Sequence, residues 1–373
     1  MREFDTALAC GARCSARCAV TILEFGSVAV VAPSLHWRYS GVTSTIIALV
    51  PRQARDAPIA ALGPNLPADV PRVRLSDVLL RGWSPPAGFS HRIWHARRNT
   101  DMLAGVLLKS VLRQPWKLVF TSAGQRRHTA YTRWLIRRMD ALIATSEGAA
   151  AYLEQSATLI PHGVDTGRFH PAEDRGAEWG AAGLPGSFGV GAFGRIRPQK
   201  GADLLVEAMI RLLPKYPDAA LVLTGLVAPQ FETFKAELEA RVAAAGLQSR
   251  VLFLGERPVE EMPEWFRRVA VYVAPMRQES FGLTPLEAMA SGAAVVATRT
   301  GAAPALVEDG ETGFLVEPNN LEALTNAIER LLADRDLAAA MGLRGRAKAV
   351  REHDIEGEAR CINAVYRTLW AAP

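Results

Sequence analysis

A chain of 373 residues is long enough for two ordinary domains, each with a core of its own. Hydrophobic residues make up 49% and charged residues 22%, which excludes a disordered or fibrous chain, and no apolar run approaches the roughly 20 residues needed to span a bilayer. The net charge of +5 is unevenly spread: residues 1–170 carry 21 Lys+Arg against 11 Asp+Glu and the remainder 22 against 27, so a half at +10, suited to an acidic partner, precedes a half at −5.

Residues 1–26 read as an extension. Glu3, Asp5 and the lack of a long apolar core make it a poor signal peptide. Cys10, Cys14 and Cys18 fall at i, i+4 and i+8, a spacing that matches no common zinc pattern, and with Cys361 they build no disulfide framework. A reducing, cytoplasmic setting is expected. The first strand is Val28–Ala32, and a helix opens at Gly41 after a loop; strand, glycine loop and helix begin a nucleotide-binding α/β unit. Strands follow at Pro58–Leu62, His91–His95, Lys117–Thr121 and Ala141–Thr145, with helices at Thr100–Arg113 and Arg127–Arg138. The turn-rich stretch from Leu159 to Pro171 marks a junction. The alternation then restarts with strands Phe188–Phe193, Ala220–Leu223, Val251–Leu254, Val271–Ala274, Ala294–Ala297 and Gly313–Val316, and helices at Ala202–Leu213 and Phe231–Ala245. Two final helices are expected between Asn320 and Leu369, broken near Arg335. The predicted division is an extension (1–26), a first α/β domain (27–165), a second (166–353) and a C-terminal helix (354–373) placed to cross back to the first. Short apolar strands alternating with helices predict mostly parallel sheets covered on both faces, and two such units in tandem leave a cleft between them.

The strongest local signal is Pro275-Met-Arg-Gln-Glu-Ser-Phe-Gly-Leu-Thr-Pro-Leu-Glu-Ala-Met-Ala-Ser-Gly, a loop and short helix after a strand. Its helix N-terminus presents the backbone N–H groups of Phe281, Gly282 and Leu283, which favour a phosphate or a partly negative sugar oxygen. Thr284 at the N-cap and Glu287 three residues on form a capping box that needs no ligand. Glu279 has no such structural role; it is a solvated loop carboxylate or a ligand contact. The second signal, Gly194-Arg-Ile-Arg-Pro-Gln-Lys-Gly, offers Arg195 and Lys200 between a strand and a helix, either as phosphate-binding cations or as a basic surface loop. No Asp-x-Asp follows an apolar strand and no His, Asp and Glu cluster, so no metal is expected. Arg126, Arg127, Arg133, Arg137 and Arg138, with Tyr131 and Trp134, form a basic and aromatic helix. With Arg97 and Arg98 it suits an acidic acceptor or an anionic membrane surface, and equally a solvated helix face.

Glu279 and Glu287 around Phe-Gly-Leu-Thr-Pro-Leu resemble the signature of retaining glycosyltransferases of family 4. Ala294-Val-Val-Ala-Thr and Gly301-Ala-Ala-Pro-Ala-Leu-Val-Glu-Asp-Gly-Glu-Thr-Gly-Phe-Leu-Val are similar to that family too. The resemblance spans Pro161 to about Val316, and the first half more loosely. It implies an α/β GT-B fold, two Rossmann-like domains with parallel sheets facing a central cleft. It implies a nucleotide-sugar donor held by the second domain with no cofactor or metal. Glu279 would contact the transferred sugar, and Glu287 the ribose. The backbone of Phe281, Gly282 and Leu283 would hold sugar and phosphates. Arg195 and Lys200, beside Gly194, would neutralise the diphosphate, and Gly41 would lie against donor phosphate and acceptor. Where many members carry a His after the strand ending at Thr121, this chain has Ala123; His95 and His128 are the substitutes, with His128 kept as an acceptor-site candidate beside Arg126, Arg127 and Arg97.

Trp94-His-Ala-Arg-Arg-Asn, Phe120-Thr-Ser-Ala-Gly-Gln-Arg-Arg-His-Thr and Ser40-Gly-Val-Thr-Ser-Thr resemble a narrower group, the alphaproteobacterial mannosyltransferases of the lipopolysaccharide core. That likeness implies GDP-mannose as donor and an anionic Kdo–lipid A acceptor, with peripheral contact at the inner face of the cytoplasmic membrane. Rival expectations are a UDP-sugar donor, or an epimerase or phosphorylase on the same fold. A nucleic-acid-binding protein is suggested by charge alone and lacks the zinc-finger or RNA-recognition motifs, so no nucleic-acid partner is expected.

Overall fold

The computed structural model describes residues 21–37 and 41–371. Cys10, Cys14 and Cys18 lie outside them. The first domain runs β1 (Val30–Pro33), α1 (Gly41–Gln53), β2 (Ile59–Leu62), α2 (Leu75–Arg81), β3 (Arg92–Ala96), α3 (Asn99–Ser110), β4 (Trp116–Ser122), α4 (Ala130–Ile136), β5 (Ala141–Ala144), α5 (Glu147–Ala150) and β6 (Thr158–Leu159). The second runs α6 (Arg175–Ala181), β7 (Phe188–Phe193), α7 (Ala202–Leu212), β8 (Ala219–Thr224), α8 (Glu232–Ala244), β9 (Val251–Phe253), α9 (Met262–Arg268), β10 (Val271–Ala274), α10 (Leu283–Ala290), β11 (Ala294–Thr298), α11 (Ala303–Leu306), β12 (Gly313–Val316), α12 (Leu321–Ala333) and α13 (Arg335–Glu352), before α14 (Ile355–Ala371).

Each domain is built on a six-stranded sheet, ordered β2-β1-β3-β4-β5-β6 in the first and β12-β11-β10-β7-β8-β9 in the second. Both sheets are parallel throughout. A strand covered by helices on both faces has no solvent side, so it reads as an unbroken apolar run; Ala294-Val-Val-Ala-Thr is buried at all five positions. The strand order reverses between β1 and β3 and again between β7 and β10. At such a reversal the connecting helices leave toward opposite faces and open a crevice at the carboxyl ends of the strands, where ligands of these sheets bind. Gly41 and the loops after β7 and β10 are therefore brought to crevices by topology alone.

Phe25 falls in the stretch read as an extension, yet it packs with the first domain. Phe25 is buried in its core, and the Arg92 guanidinium lies 4.0 Å above the Phe25 ring. The helical stretch after Asn320 contains three helices, not two. Asp334 accepts from the Leu337 N–H at 2.8 Å and starts α13, and a second break falls at His353–Asp354. There the chain crosses back: Ile355, Ala359, Ile362 and Tyr366, one stripe of α14, pack with Val30, Ile46 and Ile93 of the first domain. The two crossing segments run side by side, with the Val164 N–H donating to His353 O at 2.8 Å and the Ile355 N–H to Val164 O at 3.1 Å. Gly163 permits this contact, because a Cβ there would stand 2.6 Å from Ile355 Cα. No described helix is long and apolar enough to cross a membrane.

Candidate active site

The site begins where β7 ends. Gly194 has a φ of +137°, and the neighbouring Gly225 approaches it so closely that a Cβ on Gly225 would lie 2.0 Å from Gly194 O. Arg195 leaves this corner exposed, and it makes no hydrogen bond or ion pair with any described residue. A 3-10 turn, Pro198–Lys200, follows, and Gly201 at φ +71° brings the turn against the β10 loop; a Cβ on Gly201 would sit 1.9 Å from Pro275 O. Lys200 is thereby laid over that loop. Its Nζ pairs with the Glu279 carboxylate and lies 3.7 Å from Met276 Sδ. The two residues read separately from the sequence as cation and carboxylate are thus in contact.

Arg277 binds the two loops together. Its N–H donates to Gln199 O at 2.9 Å, and its guanidinium donates twice to Asp203, at 2.8 and 2.7 Å, and also to Pro198 O. Burial pushes the Asp203 carboxyl up, and the Arg277 hydrogen bonds and charge more than offset it, leaving the group below its ordinary range. The sequence did not single out Arg277, because its partner Asp203 lies 74 residues earlier in the chain.

The capping box expected at Thr284 and Glu287 does not form. Gly282, at φ +90°, is the N-cap, and no side chain bonds there. Leu283 is the first helical residue, so Glu287 lies at the fifth position, too far along to reach back. It is half-buried instead, and burial raises its carboxyl to about 7, with the positive charge of Arg168 acting the other way. The Phe281 ring is buried edge-on to His162 at 4.7 Å, and Phe281 O accepts from the Ala302 N–H at 2.9 Å. His162 Nδ1 in turn lies 2.8 Å from Glu358 Oε1, and Glu358 Oε2 accepts from the Gly163 N–H at 2.8 Å. The crossing segments are therefore wired to the β10 loop, a link that no local pattern in the sequence signals.

A cavity of about 510 Å³ opens between the domains, lined by Gln125, Thr145 and Ser146 on one side and Phe281, Gly301 and Pro304 on the other. Gly301, at φ +57°, is close enough that its Cβ would meet Glu279 Cβ at 3.1 Å, so the stem of Glu279 packs behind this lining residue while its carboxylate lies on Lys200.

Residues 187–348 match the family described as Glycosyl transferases group 1. The lipopolysaccharide core biosynthesis mannosyltransferase LpcC of Rhizobium leguminosarum bv. viciae is 51% identical over 347 residues, 93% of this chain and 98% of that protein. The corresponding LpsB of Rhizobium meliloti (strain 1021) is 48% identical over 352 residues, 93% and 99% of the two chains. The chain belongs to the group 1 glycosyltransferases. Among solved structures, Anabaena Alr3699/HepE in complex with UDP and glucose superposes with a TM-score of 0.77, covering 91% of this chain and 99% of that one at 20% identity. The two facing parallel sheets are accordingly the GT-B fold, as expected.

In this glycosyltransferase the first-domain candidates are scattered. His95 is fully buried, with Nδ1 2.5 Å from Tyr366 OH and Nε2 2.7 Å from Thr121 Oγ1, and burial and then Arg97 drive its pKa well down. Both nitrogens are spent inside the domain, so it is no substitute for the missing His. Ala123 packs against the second domain's core. His128 is half-buried in the same loop, its pKa lowered by burial and then by Arg126 and Arg133, and its Nε2 has no partner. Arg126 and Arg127 are exposed but precede α4, which starts at Ala130 because Thr129 Oγ1 accepts from the Thr132 N–H at 3.2 Å. Arg97 does not join that basic surface; it is buried at the end of β3. Gly41 is the exposed first residue of α1. Among the described residues, no three His, Cys, Asp or Glu side chains are placed to hold a metal ion.

The raised Glu287 carboxyl has a measurable consequence. Its pKa rises from 4.5 to about 7 on folding, so the stability that its protonated form contributes is full below pH 4.5 and lost as pH rises through 7. Glu287→Gln removes this slope. The variant without ligand is expected to be more stable at pH 8 by about 2 kcal/mol after allowing for solvent screening, and so to melt at a higher temperature, and to match the parent at pH 4.5. Thermal melts of both proteins across that range check it; equal melting at pH 8 contradicts it.

Proposed function

We propose that this glycosyltransferase moves a mannosyl group from GDP-mannose to an anionic lipopolysaccharide-core acceptor, with retention of anomeric configuration and without a metal ion. The choice of sugar and acceptor is supported by the names of the two relatives, each close to half identical over nearly the whole chain. The observation that carries the donor site is the group of Arg195, Lys200 and Glu279 at the β7/β10 crevice. Arg195 is uncommitted, and Lys200 is held by a partner that a diphosphate displaces. As the bond from C1 to the phosphate oxygen breaks, the leaving nucleoside diphosphate gains charge, and fixed cations stabilise it without reorganising. The acceptor hydroxyl forms its bond to C1 on the same face, and its proton passes to an oxygen of the departing phosphate. Glu279, beside the cavity, orients the sugar, and Glu287 receives the ribose hydroxyls. The protein supplies position and charge, and closure of the cleft excludes water.

The basic first domain suits the anionic acceptor. Tyr131 and Trp134, exposed and stacked at 6.3 Å, with Arg138 lying 3.8 Å over the Trp134 ring, make α4 a face for peripheral contact with the inner surface of the cytoplasmic membrane. The donor is tested by melting the protein with GDP, UDP or ADP in the presence of EDTA. Stabilisation by GDP is expected. A shift with UDP or ADP alone overturns the choice of donor, and no shift with any of them overturns metal-free nucleotide binding.

A further inference from the structure

The carboxyl edge of the first sheet carries a row of buried polar groups with no partner. They are Ser34 Oγ after β1, the Arg97 guanidinium after β3, Ser122 Oγ at the end of β4 and Thr145 Oγ1 after β5. These four strands are consecutive in the sheet, so the groups fall along one edge. That edge faces the second domain: Ala123, next along from Ser122, packs on the second domain's core, and Thr145 lines the interdomain cavity opposite Phe281.

Arg97 stands out within the row. It is 8% exposed, and all three of its guanidinium nitrogens are buried without a hydrogen bond. None of its charged and polar neighbours hydrogen-bonds the guanidinium. Asp101 Oδ1 accepts from the Leu35 N–H at 3.4 Å while its buried Oδ2 has no hydrogen-bond partner, Glu358 holds His162 and the Gly163 N–H, Tyr366 OH meets His95, and Arg98 is held on Thr43 Oγ1 at 3.0 Å. A buried guanidinium is retained against its desolvation cost when something supplies hydrogen bonds and opposite charge, and its planar fork matches an oxyanion. The diphosphate of a donor already has Arg195 and Lys200 across the cleft.

We propose that this edge is the acceptor subsite and that Arg97 takes an oxyanion of the acceptor, a carboxylate or a phosphate, while Ser34, Ser122 and Thr145 take neighbouring sugar hydroxyls. Naming the ligand an acceptor rests on the transferase reading above; anion binding at Arg97 does not.

The test uses the full chain carrying Arg195→Ala and Lys200→Ala, which silences the donor cations, and follows its melting with inorganic phosphate and with acetate. A saturable rise is expected with at least one of the two. Adding Arg97→Met is expected to abolish that rise and to leave the ligand-free protein at least as stable, since an apolar chain replaces a buried guanidinium that makes no hydrogen bond. An anion response that survives Arg97→Met, or is absent from the parent, overturns the proposal; so does loss of the response together with lower ligand-free stability, which marks a structural arginine. Should the Met variant not fold, Arg97→Lys keeps the charge without the fork and is expected to weaken the response about tenfold; an unchanged response overturns it. The acceptor assignment has its own readout. Arg97→Met in the otherwise native chain is expected to leave acceptor-free hydrolysis of GDP-mannose unchanged and to lower transfer, and a parallel loss of both overturns that assignment. Failure of GDP-mannose to bind native protein overturns the donor reading and leaves the anion result standing.

Discussion

Glu279→Ala is expected to lower sugar transfer at least about 100-fold while GDP binds as tightly as before or more tightly. The first half follows from where the carboxylate stands, on Lys200 at the β7/β10 crevice and in the loop that presents Phe281 and Gly282. The second half follows from the ion pair with Lys200. In the ligand-free protein Glu279 neutralises the cation that a diphosphate requires, so removing the carboxylate frees Lys200 Nζ for phosphate. A purely structural glutamate behaves otherwise: its loss loosens the loop and weakens nucleotide and transfer together. Titration of GDP alongside initial rates separates the two, and full transfer by the variant removes Glu279 from the reaction.

The double variant Arg195→Ala, Lys200→Ala is expected to bind GDP about 100-fold more weakly and guanosine within about twofold of the parent. Each hydrogen bond to a charged group contributes about 1.5–3 kcal/mol, and a nucleoside offers no phosphate to lose. Arg195 is exposed with no partner to release, so its full contribution appears on binding. Lys200 must first leave Glu279, which discounts its share. Equal weakening of GDP and guanosine means that the loop is only a support, and the phosphate role then falls. Arg277 keeps the comparison clean, because its grip on Asp203, Pro198 O and Gln199 O holds both loops in place when the two cations are cut back.

Much of the second domain was legible along the chain. Its strands are buried on both faces, so runs such as Val271–Ala274 and Gly313–Val316 announce themselves without alternation, and they appear at those residues. Gly194 and Gly282 stood out as members of the two loop motifs, and the structure adds that both have positive φ, Gly194 where β7 ends and Gly282 at the start of α10. The first domain was read less sharply. Arg127–Arg138 looked like one helix by composition, yet Thr129 caps a shorter one, and a hydroxyl's choice between cap and surface depends on a single hydrogen bond. Thr284 shows the reverse case, with every local mark of an N-cap and none of the geometry, since Gly282 turned the chain first.

By itself, then, the sequence determined the alternation of strand and helix, the parallel sheets it requires, and the residue types gathered at two strand ends, because backbone conformation and burial periodicity are set by near neighbours. Only the tertiary structure decided that Lys200 meets Glu279, that Glu358 reaches His162 from α14, and that Arg97 is buried rather than part of a basic surface. Those outcomes depend on distance and desolvation between residues far apart in the chain. Coulomb attraction and the cost of burial act through space, so neither is written in the neighbours of any one of them.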